Sequence, residues 1–550
     1  MPELDVFTQG ELQWGALKTS VLGMFYPHPD EEDTVEFSGD LNNYLSAHKY
    51  LIYSPDDRLL DLVSNSMVPA ENRFLIGKLR LTECRLPLPN KPLPDVDIYL
   101  STDDFKGTRT AMFGKTRLGK SNVVKLIVQS LIETTKESKN VGQLIFDING
   151  EYANDNPQDD NLSVAGAYPD VSKVYALVPK NNTVSPLKLN FYEDPNASKN
   201  VLSSLLRDAG RTSGHIEAFN SVELPDIDEV RQLPPGSEQV RSIRKLQYYW
   251  AILRKARFSV DEQRLRGIAP TGRVATQFNP GFSQNLRTEV YGSQDISPVP
   301  SVPNNLDELL RDLEVINRFR RSNPNSSNLS SSSGNPVFDL DDTALLEFLE
   351  PPYGRSGVTL IQPFRIYHDH NAGNFVQEIL QYLDDGKTVI LDLGNANEEV
   401  MKYFSRELST AVFRHQTTKF TSNTLGHHFI QLYFEEAHNL FGSSDNRDET
   451  EIYRKFAKEG AKYHIGMVYS TQSPTTINPD LLAQTENFFI AHLASEDDVN
   501  RLARLNVAYS SLKNDILQAK TVGYIRMLTR SHRFVVSIQA QRFSPQRREE

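Results

Sequence analysis

Residues Gly114-Lys115-Thr116-Arg117-Leu118-Gly119-Lys120-Ser121 fit the spacing G-x-x-x-x-G-K-[ST]. The apolar run Arg109 to Phe113 before them reads as a strand, and SNVVKLIVQSLI, which starts at Ser121, reads as a helix. In that setting the glycines let the loop wrap so that its N–H groups face phosphates, and the helix N-terminus adds positive potential. Lys120 is then expected to reach the β- and γ-phosphates and Ser121 to ligate Mg²⁺. Residues Gly114 to Asn122 are thus the expected binding segment for ATP with Mg²⁺. Hydrolysis needs carboxylates at another strand end, and Leu432-Tyr433-Phe434-Glu435-Glu436-Ala437-His438 supplies a pair. Glu435 is expected to hold the Mg²⁺ through its water shell and Glu436 to polarise the attacking water. The competing reading is an ordinary strand end with solvated acids. Glu435 stands where such sites usually carry Asp. Gln472, at the end of the strand-like IGMVYSTQ, reads either as a group that senses the γ-phosphate and orients water or as a plain turn residue. Asp147, closing QLIFD before Ile148-Asn149-Gly150-Glu151-Tyr152, reads either as a further acid of the nucleotide site or as the cap of a turn.

These residues need elements to hold them. At 550 residues the chain has room for about three to four domain-sized units. Hydrophobic residues are 39% and charged residues 24%, the balance of a folded globular chain. With 59 Lys+Arg against 71 Asp+Glu the formal charge is −12, which excludes a protein that coats nucleic acid by bulk positive charge. Cys84 is the single cysteine, so an internal disulfide and a cysteine-built zinc site are excluded. The start MPELDVFTQGELQWGALKTS lacks a secretory pattern, and Val123 to Ile132 is far shorter than the roughly 20 apolar residues of a membrane span. A cytoplasmic protein that does not enter membranes is expected.

Short apolar runs in residues 1–100 (Gly23 to Tyr26, Tyr50 to Tyr53, Phe74 to Leu81, Val96 to Leu100) predict a small β-rich domain, followed by the proline-rich Leu86 to Asp95. From Arg109 the pattern turns α/β, and strands are expected at Thr388 to Asp392, Phe429 to Phe434, Ile465 to Ser470, Phe488 to His492, Val522 to Met527 and Phe534 to Ile538. Helical patterns at Ala197 to Arg207 and Glu238 to Arg257 precede a serine-rich tract, Ser322 to Pro336, that reads as a loop or linker. The expected organisation is one α/β domain formed by 101–194 and 351–550, interrupted by a mostly helical insertion at 195–350.

Taken together, GKTRLGKSN, DINGEY, TVILDLGNANEEV, YFEEAHNLF, KFAKEGAKYHIGMVYSTQSP and DLLAQTENFFIAHLASEDDVNRL resemble the HerA family of hexameric DNA translocases, related to FtsK-type motors. The resemblance implies a RecA-like ATPase domain with a small N-terminal β-barrel at 1–100. It also implies a homo-hexameric ring with ATP between neighbours, DNA in the central pore, and an arginine finger from the adjacent subunit. Arg109 matches the family arginine before the P-loop strand. The family's Gly-Arg-Lys reads Gly460-Ala461-Lys462 here, leaving Lys462 or Arg454 to substitute, although lysine lacks the bidentate guanidinium contact. The family's partners imply a separate effector, a nuclease or a sirtuin-like NAD-consuming protein (NADase), in DNA end processing or antiphage defence.

Residues Arg241 to Arg273 hold nine basic and two acidic side chains around Tyr248, Tyr249 and Trp250. They read either as a stacking and phosphate-contact surface or as an amphipathic helix with its aromatics inward. The arginine-rich Arg526 to Arg548 reads as a sheet edge or subunit contact, and His427 with His428 as a structural pair whose side chains leave a strand on opposite faces. The leading expectation is an ATP-dependent DNA translocase or helicase. An ATP-binding ring scaffold that organises an effector with little hydrolysis is the alternative, and a small-molecule kinase finds no acceptor-binding signature.

Overall fold

The computed structural model describes residues 21–30, 35–39, 53–85, 93–156, 162–177, 179, 183–330, 334–372, 374–442 and 447–545. The opening segment 1–20, most of the run at 50–53, the proline-rich residues 86–92 and the serines 331–333 lie outside them. The described strands are β1 (Met24–Pro27), β2 (Val35–Ser38), β3 (Arg73–Leu79), β4 (Asp97–Ser101), β5 (Arg109–Phe113), β6 (Val141–Asp147), β7 (Ser172–Ala176), β8 (Ser185–Pro186), β9 (Thr388–Asp392), β10 (Phe429–Phe434), β11 (Ile465–Thr471), β12 (Asn487–Ile490), β13 (Tyr524–Leu528) and β14 (Val536–Ala540). They make an α/β fold with a large, mostly parallel sheet. The chain divides into two compact units: Met1–Thr134 with Thr471–Thr475 and Leu482–Phe543, and Thr135–Ser470 with Thr476–Leu481 and Ser544–Glu550.

In the first unit the strand order is β4-β3-β14-β13-β12-β5. Only β12 and β5 pair in parallel; the other neighbours are antiparallel. β5 is buried at every position, Arg-Thr-Ala-Met-Phe, and the helix Lys120–Thr134 that follows it buries Val123, Val124, Leu126, Ile127, Val128 and Leu131. That helix is buried almost all round, which accounts for its weak polar face. The small β-barrel expected for residues 1–100 is not what the described residues show. β1 and β2 form a two-stranded antiparallel sheet whose Phe25 and Phe37 pack on Phe534, while β3 and β4 join the long sheet through β14. The alternation in Phe74 to Leu81 carries no information about which strand is its neighbour, and the neighbour, β14, lies more than 450 residues away.

The second unit has the order β11-β10-β6-β9-β7-β8, all parallel. β6, β9 and β11 are buried at every position, as strands covered on both faces must be, so they read as near-continuous apolar runs. Gly142 of β6 is required by contact: a Cβ there would fall 2.2 Å from the Leu383 carbonyl oxygen. Between 195 and 350 the regular structure among the described residues is helical, with the long helices Ser237–Lys255 and Leu306–Ser322 at its centre. A buried ion pair, Arg287 with Asp312 at 2.6 Å, is completed by the Tyr291 hydroxyl and by the Pro300 and Ser301 carbonyls. Within the serine tract Ser326 and Asn328 both donate to Glu289 at 2.7 Å.

Candidate nucleotide site

In the first unit β5 ends at Phe113 and the chain turns at once. The Gly114 N–H donates to the Thr471 carbonyl at 3.3 Å and the Lys115 N–H to the His492 carbonyl at 3.1 Å, which ties the root of the loop to the ends of β11 and β12. Gly114 has no room for a side chain, since a Cβ would lie 2.7 Å from Cβ of Ala491. Arg117 and Gly119 both take left-handed backbone, at φ 62° and 94°. Gly119 is the residue for which that conformation is free of strain. The Gly523 N–H donates to the Leu118 carbonyl at 3.1 Å, and the Val123 N–H to the Gly119 carbonyl at 3.0 Å begins the helix. Lys115, Thr116 and Arg117 are exposed, Ser121 is half-buried, and Lys120 is buried. The result is a rigid turn opening a helix of 15 residues, whose unsatisfied N–H groups and dipole suit a polyphosphate.

Asn122 has another task. Its amide nitrogen donates to the Gln541 carbonyl and its oxygen accepts the Phe543 N–H, each at 2.8 Å, so the side chain fastens the helix to the chain beyond β14. Arg109 stands at the start of β5, the opposite end of the strand from the loop. Only 8% exposed, it donates from Nε to the Gln484 carbonyl at 3.0 Å and lies 3.4 Å from Glu486. Gln472 is exposed just after β11. The loop that carries it is clamped by Asp498, which accepts the Thr475 N–H at 3.1 Å, the Thr475 hydroxyl at 2.9 Å and the Ser473 hydroxyl. Asp498, which clamps this loop, and His492, whose carbonyl holds Lys115, are residues that sequence reasoning passed over. Both lie in the quoted segment after Asp480, yet nothing local marks a carboxylate that clamps a loop 23 residues away.

In the second unit three parallel strands end in acids side by side. Asp147 of β6 pairs with Asp392 of β9, and Phe434 of β10 pairs with Phe146, so Glu435 follows in the next row. Asp147 accepts the N–H groups of Glu151, Tyr152 and Ala153 at 3.0, 2.9 and 2.9 Å, holding the Gly150 turn. Asp147 thus caps a turn. Asp392, also missed from sequence, accepts the Asn154 amide at 2.8 Å. Glu435 is 6% exposed and accepts the Asn149 N–H at 3.3 Å. Burial raises the Glu435 carboxyl far above the ordinary range, with the charges of Asp147 and Glu151 adding to the rise. Burial raises Asp147 as well, Asp392 adds to it, and the three N–H donors pull the other way. Glu435, with the weaker set of donors, is the acid that gains most from a cation. Glu436 has φ 40°, a left-handed conformation costly for a residue with a side chain, and the next N–H, of Ala437, is locked to the Ser470 carbonyl at 2.9 Å. His438 lies 3.5 Å from Glu436.

The candidate substitutes for a missing arginine already have partners in this unit: Lys462 sits over the rings of Phe420 and Tyr463, and Arg454 pairs with Asp480 at 2.8 Å. The basic run from Arg241 resolves to the amphipathic reading. Tyr248, Tyr249 and Trp250 are fully buried, while Lys245, Arg254, Lys255 and Arg264 pair with Asp341, Asp307, Glu314 and Glu193. His427 and His428 precede β10 instead of lying on it, so the strand geometry used to separate them does not apply. Arg526, first of the C-terminal arginines, is fully buried against Asp515. Among the described residues no three His, Cys, Asp or Glu side chains converge to hold a metal ion. Mg²⁺ is commonly bound by one or two protein groups plus phosphates and water. In the first unit Ser121 offers a hydroxyl at the head of the helix, and in the second unit Glu435 has a raised carboxyl that a cation would relieve.

Residues 85–233 match the family model described as DUF87, helicase HerA, central domain. Among curated proteins none matches the chain in sequence. Among solved structures, VirB4 of Thermoanaerobacter pseudethanolicus is similar at 13% identity and a TM-score of 0.37, covering 86% of this chain and 97% of that one. The bacterial conjugative coupling protein TrwBΔN70 is similar at 11% and 0.38, over 86% and 96%. The genome packaging NTPase B204 from Sulfolobus turreted icosahedral virus 2, in complex with AMP, is similar at 11% and 0.22, over 28% and 68%. Likeness at this distance says nothing about activity. No helix among the described residues is long and apolar enough to cross a membrane. The HerA match over the segment that holds the P-loop agrees with the resemblance read from the motifs: the chain carries a HerA-type P-loop domain and is an ATP hydrolase whose cofactors are ATP and Mg²⁺.

Proposed function

We propose that the chain is an ATP-driven DNA translocase or helicase of the HerA kind, working as a homo-hexameric ring around DNA together with a separate effector, a nuclease or a sirtuin-like NADase, in DNA end processing or antiphage defence. The observation that supports it best is the HerA central-domain match lying over a loop already shaped for phosphates. In this reading Lys120 neutralises the β- and γ-phosphates and Ser121 and Glu435 hold Mg²⁺. Glu436, fixed in its left-handed turn, takes the proton of the attacking water, and Gln472 orients that water. Arg109 acts on a neighbouring subunit's nucleotide after leaving Glu486. The ATPase domain comprises 101–194 and 351–550, the helical insertion 195–350, and a small β module 1–100. The protein is cytoplasmic. The test is displacement of a bound third strand from duplex DNA in the presence of ATP, with light scattering for the ring: a monomer that moves no strand refutes the reading.

The scaffold reading keeps one specific support. Lys462 and Arg454 are engaged within their own unit, and Glu435 favours its neutral form. A ring that binds ATP, holds its effector and turns over slowly agrees with that. It predicts effector binding that needs ATP but survives Glu436→Gln.

A further inference from the structure

We infer that the chain carries a second anion site, a cavity of about 290 Å³ walled by the helices Pro195–Asp208 and Glu398–Thr421, which takes a small phosphate ester. Three cations, Arg207, Lys402 and Arg406, stand on its wall, and among the described residues no Asp or Glu does. Lys402 is shared with Glu398 at 2.7 Å. Arg207 and Arg406 make no side-chain hydrogen bond or ion pair with the described residues. The charge of Arg406 acts on Asp194 and Glu407, and burial holds both above the usual carboxylate range, which weakens their neutralising effect. Asp194 is engaged further by the Ala197 N–H at 3.1 Å and by the Tyr403 hydroxyl.

A second, independent observation is Asn220. It is 6% exposed, it lines the same cavity, and neither its amide nitrogen nor its amide oxygen has a hydrogen-bond partner. Buried amides without partners are rare in folded proteins, and one that offers both a donor and an acceptor suits a hydroxyl or a ring edge better than a bare anion. Like charges gathered on one wall call for a ligand that carries about two negative charges, as a phosphate monoester does and a single carboxylate does not. Arg forks bind such a group bidentately. The volume lies at the lower end of small-ligand pockets, room for a phosphate with a small organic group and not for a peptide or a nucleic-acid strand. Leu440 and Tyr453 complete the wall, and Leu440 is four residues beyond Glu436, so an occupant touches the segment that carries the acidic pair.

Equilibrium dialysis on the full chain carrying Lys120→Ala, which silences the P-loop, tests this with labelled ribose 5-phosphate, AMP and inorganic phosphate as probes. The expected result is one saturable equivalent per chain of ribose 5-phosphate or AMP, bound at least tenfold more tightly than inorganic phosphate. Adding Arg207→Gln with Arg406→Gln should weaken that binding at least tenfold, and Asn220→Ala should close the gap between ester and phosphate. Both arginines are exposed, so the melting temperature should hold. Failure of all three probes to bind, or binding indifferent to the two arginine changes, overturns the site. Phosphate binding as tightly as the esters overturns the ligand class. Neither outcome touches the wild-type ATPase assay, so this inference and the translocase proposal fail separately.

Discussion

Gly119 carries the shape of the phosphate loop in one backbone angle. At φ 94° a side chain is strained, so Gly119→Ala should cost about 1–2 kcal/mol and weaken ATP binding, checked by thermal melts and nucleotide titration. Glu436 is the converse case, a residue with a side chain held at φ 40°. If that strain serves to aim the carboxylate, Glu436→Gln should keep ATP binding while turnover drops by roughly 10²-fold or more, and Glu436→Gly should be at least as stable as the wild type while equally inactive. Glu435 is read through pH. Its folded-state carboxyl titrates above its unfolded value, so the folded chain retains a proton that the unfolded chain has released. Stability from this group is therefore lost as pH rises through the window above the ordinary carboxylate range. Glu435→Gln should raise the melting temperature of the nucleotide-free chain by roughly a few degrees near pH 8 and leave it about unchanged near pH 5. A shift of equal size at both pH values would contradict the buried-acid account.

At the scale of elements, the loop after β11 depends on one distant carboxylate. Asp498→Ala removes three hydrogen bonds from Ser473 and Thr475 at once and should cost about 1–3 kcal/mol. If Gln472 orients water, kcat should fall while the affinity for ATP stays within about twofold, a split that steady-state kinetics and nucleotide titration separate. How far such elements are legible in sequence follows from their surroundings. β5, β9, β10 and β11 are buried on both faces and announce themselves as runs such as TVILD and IGMVYST. β7 and β8 are not so readable: Ser-Lys-Val-Tyr-Ala is half-exposed at its first three residues, and β8 is two residues long. The acids at the ends of β6 and β10 are legible because each follows an apolar run. Asp392 ends the same kind of run, but only register with Asp147 shows its place. Asp498 acts across 23 residues, and no local spacing encodes such a contact.

For the molecule as a whole, the sequence pattern carries the phosphate loop and the acidic pair, while the HerA match supports a motor that acts on DNA. The net charge of −12 means that any DNA contact must be local, because the summed field of the chain repels a polyanion. In the run from Arg241 the aromatics are buried and Lys245, Arg254, Lys255 and Arg264 are paired with acids, so base stacking there is closed off. The account's central claim is that ATP hydrolysis by this chain is coupled to DNA, and it is tested most directly by steady-state ATP hydrolysis with and without double-stranded DNA, beside Lys120→Ala and Glu436→Ala. The predicted result is turnover that rises with DNA in the wild type and falls by roughly 10²-fold or more in both variants. Wild-type turnover indifferent to DNA, or DNA-stimulated turnover that survives either substitution, would contradict it.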